Sequence, residues 1–418
     1  MRHLVFLAIL ILTYFSASYM YANVVKPMWE EGVIPGEIYN YEAIAGFYLL
    51  TIPAVIGVIL SIPMGMLADK IGKVKMLIIT GLLIGAGLLI ISGSPNLYIL
   101  VIGFTLFAIG MHGIYPAIMG AIADTLPESR RGIGYASYYA SSVLGNIVGL
   151  IIGLIIYWRT GYLSLGLLVI LLTFITSFTL TRAYEKAGVG ITRREYVIGT
   201  ALRATLTPPA IAFYILIFFW GMPWGAIARY AVNFICDAWG VSRGIATLIV
   251  VLGSLSIIAG HILGGLLADR RVRKGDPLGR VKVSIFGVAI GIVVMLGFVL
   301  YPYPYGDESL RALLLPAIIA LAGMMFTTFA YPNISSVFSE VIEPEYRATA
   351  FAVFNILNNL GWGIGPTLYG LLKAEFYEVL GLDISSASRY AITSIVLLWI
   401  IPLVIWILML RLYPKYKK

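Results

Sequence analysis

The 418-residue chain is 60% hydrophobic and 12% charged, with a mean hydropathy of +0.94 and a formal net charge of +9. Soluble domains carry about 25% charged residues; here the apolar residues gather into runs of about 20, each able to cross a hydrocarbon core of roughly 30 Å. The basic residues lie in short links between those runs, so the positive balance marks membrane flanks and argues against a nucleic-acid partner; the single cysteine, Cys236, excludes a disulfide framework and a cysteine-based metal cluster.

Span 1 covers roughly residues 4–25. A secretory apolar region is only about 7–15 residues long, so this run is read as a retained membrane helix. A loop with four acids, Glu30, Glu31, Glu37 and Glu42, leads into span 2, roughly 43–67. The next stretch, Gly65 to Lys75, reads G-M-L-A-D-K-I-G-K-V-K and packs Asp69, Lys70, Lys73 and Lys75 into a very short connection. Gly65 is expected to let a neighbouring helix approach closely, and Gly72 to permit a tight turn. Span 3 (76–93) is followed by a Ser-Pro-Asn turn, then by span 4 (97–123), which runs into Asp124, Pro127, Glu128, Arg130 and Arg131. Spans 5 and 6 cover roughly 134–157 and 162–183, and a polar stretch at 184–206 divides the chain.

The second half repeats the rhythm, with spans near 209–232, 244–267, 281–300, 312–338, 349–371 and 390–410. Gly264-Gly265-Leu266-Leu267-Ala268-Asp269-Arg270-Arg271 is a weaker copy of the Gly65 stretch, and Tyr331-Pro332 mirrors Tyr115-Pro116. The chain therefore reads as an all-α membrane protein: twelve transmembrane helices in two pseudo-symmetric six-helix bundles, residues 1–183 and 207–418, joined by a cytoplasmic loop at 184–206. With the Gly65 loop in the cytoplasm, 22 of the 29 Lys and Arg fall on that side and six on the other, with Arg229 inside or near the end of span 7. Only Lys and Arg carry this signal, and it places both termini in the cytoplasm of a multi-pass cell-membrane protein.

The Gly65 stretch resembles the G-x-L-x-D-R/K-x-G-R/K-R/K loop of the major facilitator superfamily, matched at Gly65, Leu67, Asp69, Lys70, Gly72 and Lys73. The resemblance extends over the whole chain through the six-plus-six layout. Pro344, Arg347-Ala348-Thr349-Ala350 and Gly361, Gly363, Gly365-Pro366 look somewhat like the Spinster-type and organic-anion branches. It implies a functional monomer in which Gly65, Asp69, Lys70, Gly72, Lys73, Asp269 and Arg270 belong to a cytoplasmic gate, with Arg130, Arg131 and Arg347 as partners. The chain departs from proton-coupled drug exporters: Phe104 stands near their span-4 arginine, and Gly145-Asn146 replaces their span-5 Gly-Pro.

In such folds the solute site lies near the midplane between the halves, and polar groups in the spans are its candidate lining. Span 11 places Asn355, Asn358, Asn359 and Trp362 on one helical face, and span 5 answers with Tyr135, Tyr138, Tyr139, Ser142 and Asn146. Tyr14, Ser18 and Tyr21 in span 1, His112 and Tyr115 in span 4, and Thr328 and Tyr331 in span 10 add to the set. Interhelical hydrogen bonding would use the same residue types. Pro223 is expected to interrupt span 7 at Gly221–Gly225, setting Trp220 and Trp224 beside a gate. Arg229 has three readings: a substrate carboxylate, the outer surface, or a bridge to Asp237. The central part of each span carries no carboxylate, which disfavours cation export. His112 is the residue that would carry a coupling proton. The sequence offers no metal site, cofactor motif or nucleotide loop, and no membrane-enzyme constellation. The expected function is secondary transport of a small neutral or anionic organic solute; multidrug efflux and lysolipid transport or scrambling are the alternatives, and membrane lipid is the other partner.

Overall fold

A computed structural model describes residues 2–126, 128–187, 206–343 and 347–417. The chain divides into two compact units, Met1–Glu195 and Tyr196–Lys418. The first contains α1 (Arg2–Glu30), α2 (Tyr41–Ala45, Gly46–Thr51 and Ile52–Ile71), α3 (Lys73–Gly93), α4 (Leu97–Thr125), α5 (Glu128–Ile155) and α6 (Trp158–Ala187). The second contains α7 (Pro208–Trp239), α8 (Arg243–Arg273), α9 (Gly279–Val299), α10 (Leu310–Glu340), α11 (Arg347–Glu378) and α12 (Ile384–Tyr416). Eleven of these twelve described helices are long and apolar enough to cross a membrane. The exception is α11, where Asn355, Asn358 and Asn359 dilute the apolar residues.

Helices satisfy every backbone group internally, which lipid demands. In the C-terminal unit, Asp383 accepts hydrogen bonds from the amides of Ser385 (3.0 Å) and Ser386 (3.1 Å) at the start of α12. Gly72 is the whole connection between α2 and α3, at φ +95°, where a side chain would be strained. The tight turn expected there is present. The close approach expected at Gly65 is not: no described atom lies within 4 Å of where its Cβ would stand, because α2 faces open space at that level.

Two helix pairs make up the heart of the units. In the first, Gly145, Gly149 and Gly153 of α5 lie against the carbonyls of Leu12, Ser16 and Met20 in α1. In the second, Gly361 and Gly365 of α11 meet the carbonyls of Phe218 and Met222 in α7, while Gly221 and Gly225 meet those of Asn358 and Trp362. Lipid tails are as apolar as leucine, so association rests on van der Waals contact, and small residues bring backbones close enough to provide it. The Gly145-Asn146 departure thus has a packing role.

Among the described residues three helices are irregular, and α7 is not among them. It runs unbroken through Pro223; the missing amide interrupts one bond without ending the helix, and α11 supports it through the glycine contacts. The expected interruption of span 7 is absent. Instead α2 contains a π-helical turn at Gly46–Thr51, α10 a 3₁₀ turn at Thr328–Ala330, and α12 a break at Leu398–Trp399. Substitution of Gly149 or Gly365 by leucine is expected to force α1 from α5, or α7 from α11, and to lower the melting temperature in detergent by several degrees. Leucine at Gly65 should leave it within about a degree, read by the same thermal melts.

Candidate functional site

The N-terminal unit gathers four of its expected site residues into one aromatic cluster. Phe15 of α1, Tyr115 of α4 and Tyr139 of α5 pack edge to face around Tyr138 of α5, with centroids 5.5 Å from Tyr115 and 5.4 Å from Tyr139, and Tyr14 of α1 lies tilted against Phe15. The Tyr14 and Tyr138 hydroxyls lie 3.5 Å apart in a buried setting. Tyr139 is 53% exposed, so the cluster reaches an open surface. Ser18 and Tyr21 are buried on the same helix as Tyr14. Tyr21 packs on Phe104, which packs in turn on Tyr162; the position near an exporter's arginine is filled by rings packed edge to face. Ser142 spends its hydroxyl on the Tyr139 carbonyl. The Asn146 Oδ1 is buried and accepts no hydrogen bond among the described residues. His112 stands apart, its ring against Gly57 of α2.

In the C-terminal unit, Trp220 and Trp224 pack on Trp399 of α12 with centroids 6.1 and 5.5 Å away. The sequence singled out the first two and missed Trp399, whose place at the α12 break brings its indole inward. Asn358 and Trp362 lie against the α7 glycines, and the Asn358 Oδ1 is buried without a partner among the described residues. Asn359 donates to the Asn355 carbonyl at 2.9 Å, so part of that amide stripe is bonded along its own helix. Thr328 does the same, to the carbonyls of Met324 and Met325. Tyr331 is 45% exposed and stacks on His261 at 4.9 Å. Arg229 is half-buried. Asp237, offered as one of its partners, accepts from Lys373 of α11 at 2.7 Å.

The motif-bearing ends of the two units carry equivalent charge clusters. Lys73, the first residue of α3, donates to Asp124 at the end of α4 (2.6 Å), and Tyr184 near the end of α6 donates to the same oxygen (2.9 Å). Gly120 leaves the room that the Lys73 stem occupies. In the second unit Arg280, near the start of α9, meets Asp269 at 3.1 Å and Glu340 at 3.9 Å, and Glu340 also accepts from Tyr413 of α12. Cation, acid and tyrosine thus join the third, fourth and sixth helices of each unit. The sequence assigned Lys73 and Asp269 to this region but missed Asp124, Tyr184, Arg280, Glu340 and Tyr413. Arg270 and Lys70 are exposed. The side chains of Asp69, Arg130, Arg131 and Arg347 lie outside the described residues, as do most of the central stretch and residues 344–346. In the turn after α8, the Lys282 ammonium and the Leu278 amide hold the Asp276 carboxyl below its usual range.

At the opposite ends an arginine repeats. Arg159 at the start of α6 donates to the carbonyls of Ser92 in the last turn of α3 and of Ser94 just beyond it, at 3.2 and 2.8 Å. Arg389 in α12 donates to Tyr301 beyond α9 (2.5 Å) and to Ala238 of α7 (2.8 Å). A cation at a helix C-terminus meets the orphan carbonyls and the negative end of the dipole. Among the described residues no group of three His, Cys, Asp or Glu is placed to hold a metal ion.

The sequence profile of the Major Facilitator Superfamily matches residues 5–366, and the chain belongs to that family of membrane transporters. Similar solved structures include a bacterial homolog of the human lysosomal transporter Spinster in an inward-facing, unoccupied conformation (TM-score 0.79, 17% identity, 100% of this chain and 98% of that one). A peptide transporter, POT, in complex with sulfate gives a TM-score of 0.71 at 16% identity, covering 100% and 96%. Among curated relatives, an MFS-type efflux pump of Mycolicibacterium smegmatis (strain ATCC 700084 / mc(2)155) is 31% identical over 147 residues, 34% of this chain and 29% of the relative. A Na(+), Li(+), K(+)/H(+) antiporter of Planococcus maritimus is 27% identical over 136 residues, 32% and 29%. The chain aligns with under a third of the length of these two relatives. The expected superfamily and the helical membrane fold are borne out by these matches, and the fold is shared with the Spinster homolog.

The Lys73–Asp124 pair is roughly three-quarters buried on both sides, which reduces solvent screening. Asp124→Asn is expected to cost about 1 kcal/mol after that discount. Tyr184→Phe should cost less in that background than in the native chain. Strictly additive losses in a thermal double-mutant cycle would separate the two contacts.

Proposed function

We propose that this chain is a secondary transporter that moves a small neutral or anionic organic solute by alternating access of its two units, residues 1–183 and 207–418, about the 184–206 loop. One observation carries the substrate class: the mid-span polar groups are tyrosines, asparagines, tryptophans and a histidine, with no carboxylate in the central part of any span. A lining of rings and amides suits a partly apolar solute, and Arg229 supplies a positive charge for a carboxylate. The motif-bearing ends face the cytoplasm of the cell membrane in this reading, because most Lys and Arg lie there. The duplicated clusters at those ends support Gly65, Asp69, Lys70, Gly72, Lys73, Asp269, Arg270, Arg130, Arg131 and Arg347 as the inner gate region, and the working unit is a monomer in the lipid bilayer.

The second reading is multidrug efflux, favoured by the name of the M. smegmatis relative. Lysolipid transport rests on the fold of the Spinster homolog alone.

A thermal-shift screen of purified protein against organic anions, sugars, amino acids, cationic drugs and lysophospholipids separates these readings. A ligand at 100 times its Kd stabilises the native state by about 2.7 kcal/mol. The expected result is a concentration-dependent shift with organic anions that Arg229→Ala or His112→Ala abolishes. Shifts confined to cationic drugs would overturn the assignment in favour of efflux, and shifts confined to lysophospholipids would do so in favour of lipid transport.

A further inference from the structure

The repeat aligns the helices of the two units, and at one place their fillings differ. The glycine contacts set Leu12 and Ser16 of α1 opposite Phe218 and Met222 of α7, which puts Tyr21 opposite Ile227. The two Tyr-Pro pairs put Phe104 of α4 opposite Ala320 of α10. Arg159 and Arg389, each bonded to carbonyls at the end of the third helix of its unit, put Tyr162 of α6 opposite Ile392 of α12. In the first unit the three side chains are buried rings, with Phe104 edge to face on Tyr21 at 5.8 Å and on Tyr162 at 6.3 Å. In the second, Ile227, Ala320 and Ile392 all border one recess of about 430 Å³, counted with its open mouth. The void stands where the other unit stacks three rings.

The neighbours do not close it. Lower down, α8 is pinned against α10: a Cβ at Gly260 or Gly264 would lie 2.3 or 2.5 Å from the carbonyl oxygens of Met325 and Phe329. At Gly253 the same helix stands clear, and the nearest atom to an added Cβ is the Met324 Cγ at 3.7 Å. Phe298 of α9, which lines the recess, is already engaged by Trp239 at 5.3 Å and Phe234 at 6.2 Å. Protein interiors are close-packed, so the lining of a void forfeits contacts that its counterpart keeps. All of the lining surface is apolar. Water would find no hydrogen-bond partner there, and dry cavities of this kind take up apolar molecules instead.

We propose that this recess is a binding site for a small apolar molecule carrying an aromatic ring. It is separate from the candidate solute residues, none of which lines it. The first unit supplies the chemistry of the occupant, since its own chain fills the equivalent place with rings packed edge to face. The second unit's wall suits the same guest: Phe234 and Phe298 offer ring edges, and Met295 and Met324 offer polarisable sulfurs that pack favourably on aromatic rings. Ala231, Val250 and Met324 are half-buried and mark the rim. The walls come from α7, α8, α9, α10 and α12, so an occupant acts on the packing of the unit, whichever solute is carried. An acyl chain of the surrounding lipid is the competing occupant.

Benzene is the probe, titrated into the full chain in nanodiscs of deuterated lipid with carbon-13 in the methionine methyls. A ring in the recess is expected to shift the Met295 and Met324 methyl resonances saturably through its ring current; Met295→Leu and Met324→Leu assign the two signals. Met66 is 50% exposed on α2 and should shift only in proportion to the benzene dissolved in lipid. Ala320→Phe, which restores the first unit's ring, should abolish the saturable shifts without lowering the melting temperature. Ala320→Leu, a smaller filler, should raise the half-saturating concentration about tenfold. Shifts linear in benzene at all three methyls, or a saturable response that survives both fillers, would overturn the proposal. In ordinary lipid, nuclear Overhauser contacts from acyl chains to Met295 and Met324 that benzene does not displace would assign the recess to lipid and overturn it as well.

Discussion

Close backbone contact between α1 and α5, and between α7 and α11, is the constraint on which the rest of each unit depends. Inside a bilayer no hydrophobic gain drives two helices together, so adhesion needs atoms at contact distance. The glycine rows achieve it: Gly145, Gly149 and Gly153 in one unit, Gly221, Gly225, Gly361 and Gly365 in the other. Once the glycine faces are fixed, the remaining faces of the same helices are fixed too. That is how Tyr14 meets Tyr138, and how Trp220 and Trp224 come to Trp399.

Most of the charge on the described helices is kept to their ends, where each unit uses it in the same way. Lys73 with Asp124 and Tyr184, and Arg280 with Glu340 and Tyr413, tie the third, fourth and sixth helices at the motif-bearing end. Arg159 and Arg389 close the far ends of the third and ninth helices onto the sixth and twelfth. These contacts stiffen each unit, a property expected of bodies that move against one another. Glu42 is fully buried at the start of α2, directly before a π-helical turn. Such turns recur at functional sites, and this one marks α2 as a helix with a local departure built in.

Much of this was legible in the sequence because it is written in local patterns. The Gly72 turn, the two copies of the motif, the polar stripe of span 11 and the aromatic residues of spans 1 and 5 follow from spacing along the chain. Pairings between distant residues were not legible. Nothing near Lys373 announces Asp237, 136 positions away, nor does Asp124 announce Tyr184. Pro223 misled for a related reason: a proline's effect depends on the neighbour that supports the helix, and α11 supplies that support. Gly65 misled in the opposite sense, since a glycine in a helix does not say whether anything lies beside it.

Alternating access of the two units is the central claim, and the distance between their motif-bearing ends measures it most directly. Spin labels at Lys75→Cys and Lys274→Cys, both exposed positions, in a Cys236→Ser background would report it by pulsed electron–electron distance spectroscopy in lipid nanodiscs. The account predicts two resolved distance populations whose ratio shifts with pH or with a compound that raises the melting temperature. A single distance distribution, unchanged by either, would contradict it.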